Sequence, residues 1–97
     1  MVLEAATIYV KQGTSSDFES SFRKASNILA RASGYIGHEL HKCVEEPDKY
    51  LLLVKWQSIS DHIADFRKSE DYGEWQSILQ PYFAQPPSEQ HYVNIRL

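Results

Sequence analysis

The sequence predicts an α+β fold: a four-stranded antiparallel sheet with two helical regions packed on it, in the order β-α-β-β-α-β. Three observations carry that reading. Stretches rich in β-branched and aromatic residues take turns along the chain with stretches whose apolar residues recur every three or four positions. Turn-forming clusters separate them, at Lys11-Gln12-Gly13, Glu45-Glu46-Pro47-Asp48 and Gln85-Pro86-Pro87-Ser88. Finally, 97 residues with 42% apolar and 24% charged side chains suit one domain, spanning residues 1–97, with a real core.

Val2 to Val10 reads as the first strand, stopped by the turn at Gly13. Ser16-Asp17-Phe18-Glu19 has the spacing of a capping box, and Phe18, Phe22, Ala25 and Leu29 then place an apolar stripe on a helix that ends before Gly34. Tyr35 to Val44 is the second strand and Tyr50 to Trp56 the third. The third strand's Tyr50-Leu51-Leu52-Leu53-Val54 is apolar on both faces, so both faces need cover. Helices can cover only one face in so small a chain, and self-association is expected on the other. Ser58-Ile59-Ser60-Asp61 suggests a cap for a short helix carrying Ile59, Ile63 and Phe66. Tyr72, Trp75, Leu79 and Tyr82 continue at helical spacing, with Glu70 and Asp71 at the positive helix end and a stop near Pro81. His91 to Leu97, with Val93, Ile95 and Leu97 alternating, is the expected last strand. The order is that of a ferredoxin-like fold.

Charge and composition exclude several functions. Ten Lys and Arg against 13 Asp and Glu give a net charge of −3 with no long run of either sign, which disfavours nucleic acid as a partner. The longest apolar run, Leu51 to Val54, is far too short to span a membrane, and the N-terminus lacks a basic segment followed by an apolar one. A soluble cytoplasmic protein is expected. Cys43 stands alone, so an intrachain disulfide and a multi-cysteine metal cluster are both excluded, in keeping with a reducing compartment. Gly13, Gly34, Gly37 and Gly73 make no nucleotide-binding fingerprint. His38 and His41 tempt a metal assignment, but strand alternation sends them to opposite faces. Two neighbouring ligands are also too few for zinc. No metal and no nucleotide cofactor is expected.

The candidate site residues gather in the second helical half. His62 lies beside the Ile59, Ile63 and Phe66 stripe and is either a structural histidine at a helix start or a proton acceptor, for which a near-neutral imidazole is suited. Arg67 is either a solvated surface arginine or the anchor of an anionic substrate oxygen. Tyr72, Trp75 and Tyr82 form an aromatic stripe that serves either as plain core or as a flat binding wall whose phenol tips orient a ligand. The catalytic candidates are therefore His62, Arg67 and Tyr72, and the substrate-binding candidates Phe66, Trp75 and Tyr82.

This order, together with the phrases Pro47-Asp48-Lys49-Tyr50-Leu51-Leu52-Leu53-Val54-Lys55-Trp56 and Asp61-His62-Ile63-Ala64-Asp65-Phe66-Arg67-Lys68-Ser69, resembles the antibiotic biosynthesis monooxygenase family. Gly34-Tyr35-Ile36 and Ser69-Glu70-Asp71-Tyr72 leading to Trp75 extend the resemblance, which runs from about Val2 to Leu97. These are structural positions and name a fold better than a reaction. The resemblance implies a homodimer, a dimeric α+β barrel in which two sheets face each other, with a small-molecule pocket in each subunit between sheet and helices. It also implies a range of chemistries, among them metal- and flavin-free oxidation of aromatic polyketides and haem degradation. The haem-degrading branch uses an asparagine, a tryptophan and a histidine at positions that correspond to Ala6, Phe66 and Gln76 here, so haem degradation is not expected. The reading that results is a cofactor-independent monooxygenase of a small aromatic or enolisable metabolite, with His62 as the base. The alternative is a non-catalytic dimeric module that binds a metabolite or serves assembly. An open aromatic cavity with His62 pointing in would favour the enzyme, and a filled one the module.

Overall fold

The computed structural model describes residues 1–97, the side chain of Ile63 apart. Its elements are β1 (Val2–Tyr9), α1 (Ser15–Leu29), β2 (Tyr35–Lys42), β3 (Lys49–Trp56), α2 (Glu70–Leu79) and β4 (Ser88–Tyr92). A π-helical turn (Asp61–Phe66) precedes α2, and a 3-10 turn (Gln80–Tyr82) follows it. The sheet order is β2-β3-β1-β4, every pairing antiparallel, with both helices on one face. This is the α+β, ferredoxin-like arrangement expected.

Period-two alternation builds the core. Val2, Ala6 and Ile8 of β1 and Tyr50, Leu52, Val54 and Trp56 of β3 point inward and are buried. From the other side come Phe18, Phe22, Ala25, Ile28 and Leu29 of α1, then Trp75 and Leu79 of α2. Each large apolar side chain buried this way contributes roughly 1.5–3 kcal/mol. The outer face of the sheet has no helix over it, and Leu51 of β3 is 38% exposed there.

Several local expectations are corrected. The capping box at Ser16 does not form: the N-cap is Thr14, two residues earlier, and the Thr14 hydroxyl donates to the Lys11 carbonyl at 2.6 Å. The helix expected over Ile59, Ile63 and Phe66 is instead the π-helical turn, closed by Arg67 N–H donating to the His62 carbonyl at 3.0 Å. Ile59 is left 49% exposed, whereas His62 and Phe66 are buried. The side chain of Ile63 lies outside the described residues. The last strand sits three residues earlier than expected, because β4 pairs with Leu3–Thr7 of β1 and β1 begins at Val2. Ile95 and Leu97 therefore extend past the strand they would pair with, and they are exposed, as is Val93.

Gly34 shows why the turn into β2 needs glycine. Its φ is +77°, and a Cβ there would lie 2.1 Å from Asp61 Cγ. The close approach lets Asp61 Oδ2 accept hydrogen bonds from the Ser58 N–H and hydroxyl at 3.1 and 2.9 Å, which fixes the start of the π-helical turn.

Candidate active site

Between the inner sheet face, α2 and the segment entering β4 lies a cavity of about 160 Å³. A space of about 150 Å³ is enough for a benzene-sized ring. Ala6, Leu52 and Val54 form its sheet side and Phe66, Tyr72 and Trp75 its aromatic side. Phe66 meets Tyr72 and Trp75 edge-on, with centroids 5.4 and 6.2 Å away. Arg67 also borders the cavity while remaining exposed, so it stands at the mouth, its guanidinium 5.9 Å from the Tyr72 ring centroid.

One end of this cavity is ionisable. Glu4 comes from β1, His62 from the π-helical turn and Glu89 from β4, and all three line the cavity. Sheet register delivers the carboxylates: Glu4 pairs with His91 and Ala6 with Glu89, so Glu4, Glu89 and His91 share the inner face. His62 Nε2 lies 3.5 Å from Glu4 Oε1 and 3.5 Å from Glu89 Oε2. His62 Nδ1 is 2.9 Å from His91 Nε2, and its ring stacks on Trp56 with centroids 5.1 Å apart. Trp56 Nε1–H donates to Glu4 Oε1 at 3.0 Å.

Burial sets the charges. Glu4 is pushed up to about 7, first by desolvation, with the neighbouring Glu89 carboxyl adding to the rise; the Trp56 N–H and the Arg67 charge oppose it. His62 is pushed down to about 4, again mainly by burial, with His91 and Arg67 adding to the fall. Two carboxylates at 3.5 Å would by themselves favour an imidazolium, but burial of all the partners outweighs that attraction and His62 stays neutral at pH 7. Glu89 Oε2 is buried without a hydrogen-bond partner. Two carboxylates this close call for a positive charge between them. The three donor atoms lie within 4.8 Å of one another, a spacing that a proton or a divalent cation such as manganese, iron or zinc could bridge.

The structure brings together five of the six residues singled out in the sequence: His62, Phe66, Arg67, Tyr72 and Trp75 all line the cavity. Tyr82 does not. Its hydroxyl pairs with the Ser21 hydroxyl at 3.0 Å and its ring packs edge-on against Phe18, because the 3-10 turn rotates it off the α2 stripe toward α1. Ala6 and Gln76 line the cavity as well. His38 and His41 are separately engaged, by the Tyr35 hydroxyl at 2.6 Å and by Glu39 at 2.7 Å.

The sequence matches the antibiotic biosynthesis monooxygenase family over residues 1–77. The chain belongs to that family. It is 42% identical to the uncharacterized protein YczJ of Bacillus subtilis (strain 168), over 98% of this chain and 100% of the relative. A crystal structure from Bordetella bronchiseptica, provisionally described as an antibiotic biosynthesis monooxygenase, superposes with a TM-score of 0.95 at 36% identity, covering 98% of this chain and 97% of the other. SnoaB of Streptomyces nogalater, a cofactor-independent oxygenase, shares the fold with a TM-score of 0.84 at 16% identity, over 99% and 94% of the two chains.

Glu4, Glu89 and His91 are the functional candidates that sequence reasoning missed. Glu4 did leave a signal, a carboxylate on the inward phase of Val2, Ala6, Ile8 and Val10. Glu89 and His91 became visible only once β4 was placed in register.

Proposed function

We propose that this family member is a monooxygenase that works without metal or organic cofactor on a small aromatic or enolisable metabolite, and that Glu4 takes the substrate's proton. The observation that carries the reading is a buried carboxyl, titrating near neutrality, at the end of a ring-sized aromatic cavity. A ring held against Phe66 and Trp75 presents an acidic C–H or O–H to Glu4, while Arg67 at the mouth and Tyr72 beside it steady the resulting anion. The electron-rich anion then reduces molecular oxygen directly. The description of SnoaB as a cofactor-independent oxygenase supports this chemistry on the same fold. Ala6, Phe66 and Gln76 stand against haem as the substrate.

The protein acts, in this reading, as a cytoplasmic homodimer joined through the bare outer sheet face. A non-catalytic metabolite-binding dimer is the competing reading, favoured by those same three residues.

Oxygen uptake with a panel of hydroxylated aromatics and enolisable ketones, in the presence of a chelator, tests the proposal. Consumption that survives the chelator and is lost in Glu4→Gln is the expected result. Binding of panel members without oxygen consumption would establish the module instead.

A further inference from the structure

We propose that Glu4 and Glu89 form a proton-sharing carboxyl pair, in which Glu89 is a second acid–base group that works with Glu4 on oxygen as well as on the substrate. The inference deepens, and rests on, the assignment of Glu4 as the base.

The geometry requires a shared charge. Glu4 is held on one side by the Trp56 N–H, and on the other it faces Glu89 across His62 Nε2, which lies 3.5 Å from each carboxyl, the three groups offering atoms within 4.8 Å of one another. Two carboxyl groups this close can hydrogen-bond to each other once one of them carries a proton. That proton also gives Glu89 Oε2 the partner it otherwise lacks. The remaining contacts fall into one donor chain. His62 Nε2 lies 3.5 Å from both carboxyls, which favours the tautomer that carries the proton on Nε2, and in that tautomer Nδ1 accepts from His91 Nε2–H across the 2.9 Å contact. The groups facing Glu4 are thus His62 and Arg67 from the turn and its end, Glu89 and His91 from β4, and Trp56 from β3. Like charges this close do not both ionise near neutrality, so the pair holds one proton.

A pair with one proton is base and acid at once. The ionised carboxylate takes the first proton from the substrate's CH₂, leaving an electron pair that forms a C–O bond to molecular oxygen. The peroxide anion takes a proton from the pair, now doubly protonated. The freed carboxylate removes the second C–H proton as that electron pair closes the C=O bond and the O–O bond breaks, and the leaving hydroxide takes a proton from the other carboxyl. The balance is CH₂ plus O₂ to C=O plus water, with the pair returned to one proton. Glu4 alone holds one proton, whereas this sequence holds two at once, which is what Glu89 adds.

Carbon-13 NMR titration of the glutamate carboxyls needs no substrate and tests the pair directly. In Glu89→Gln the Glu4 midpoint should fall by about one pH unit or more, since both the charge and the hydrogen bond that raise it are gone. A midpoint that stays in place overturns the pair. Titration with Mn²⁺ alone provides the second arm. Broadening confined to Glu4, His62 and Glu89 at micromolar Mn²⁺, abolished in Glu89→Gln, would mean that the site is built for a cation and would likewise overturn the pair. Oxygen uptake separates this inference from the reading beneath it. Loss in Glu4→Gln with an unmoved midpoint in Glu89→Gln sinks the pair and leaves the base in place, whereas full uptake in Glu4→Gln sinks both.

Discussion

Trp56 and Glu4 lie on adjacent strands, two residues apart in register, and the indole Nε1–H reaches across to the carboxylate at 3.0 Å. Trp56 is fully buried, so its N–H has no water to turn to, and the carboxylate gains a donor in a place where it is poorly solvated. The bond favours the ionised form and opposes the desolvation that raises Glu4. Trp56→Phe keeps most of the packing and removes the donor. The Glu4 midpoint should then rise further above 7. The stability cost should be about 1.5–3 kcal/mol at alkaline pH, where the carboxylate is charged, and smaller near pH 5. Urea unfolding at the two pH values reads both effects.

The two perturbed groups act oppositely on stability. Glu4 binds its proton more tightly in the folded state than at its ordinary value of 4.5, so folding loses stability as pH rises from about 4.5 through 7. His62 binds its proton less tightly than at 6.5, so folding gains stability as pH rises from about 4 to 6.5. The contributions offset each other between about pH 4.5 and 6.5, and a net fall remains from there to about 7. Glu4→Gln removes only the first. It should match the wild type near pH 4.5 and exceed it by about 2–3 kcal/mol at pH 8, as read by urea midpoints. A variant less stable than the wild type at pH 8 would mean that the carboxylate is well solvated.

The bare sheet face predicts the oligomeric state. Leu3 and Leu53 lie half-buried there beside Leu51, and Ile36 and Tyr92 are exposed at the edges. A strand apolar on both faces with helices on only one should bury its second face against a second copy. Light scattering at micromolar concentration should give about twice the chain mass. Leu53→Lys, which puts a charge at the centre of that face, should return the monomer without unfolding it.

Most of the fold was legible because it follows from local periodicity. Alternation in β1 and β3 and the Phe18, Phe22, Ala25 stripe specify which faces pack, whatever the neighbours are. Register and turn geometry are not local. The β4 boundary depends on where β1 runs out, and the π-helical turn depends on Asp61 meeting Gly34 some 27 residues away in the chain. Both features place site residues, so His62, Phe66 and Arg67 were readable as neighbours while Glu89 and His91 were not. Tyr82 was misplaced for a related reason: helical spacing was carried past Leu79, where Pro81 tightens the turn.

Haem should pass through this protein unchanged. Ala6, Phe66 and Gln76 all border the cavity, so the departures from the haem-degrading pattern fall where a reaction would take place. Haem added with a reductant should keep its absorption spectrum. Protein-dependent bleaching with release of iron would count against the correspondence drawn for these three positions.

The decisive substitution for the assignment of the base is His62→Gln. The sequence pointed to His62, but its imidazole is lowered to about 4, which makes it a weak proton acceptor near neutrality. Two carboxyls 3.5 Å from its Nε2 favour a donor's role, with the proton on Nε2 and Nδ1 facing His91 Nε2 at 2.9 Å. Glutamine keeps a polar N–H donor in that position and loses the titrating ring. If Glu4 is the base, His62→Gln should slow oxygen uptake by no more than about tenfold and keep an apparent pKa near 7 in kcat/KM, while Glu4→Gln loses about a hundredfold or more. Loss of that titration together with a hundredfold slower rate in His62→Gln would return the role to the histidine. A defect that follows thermal unfolding alone would make His62 a packing residue stacked on Trp56, with Glu4 still to be tested by its own variant.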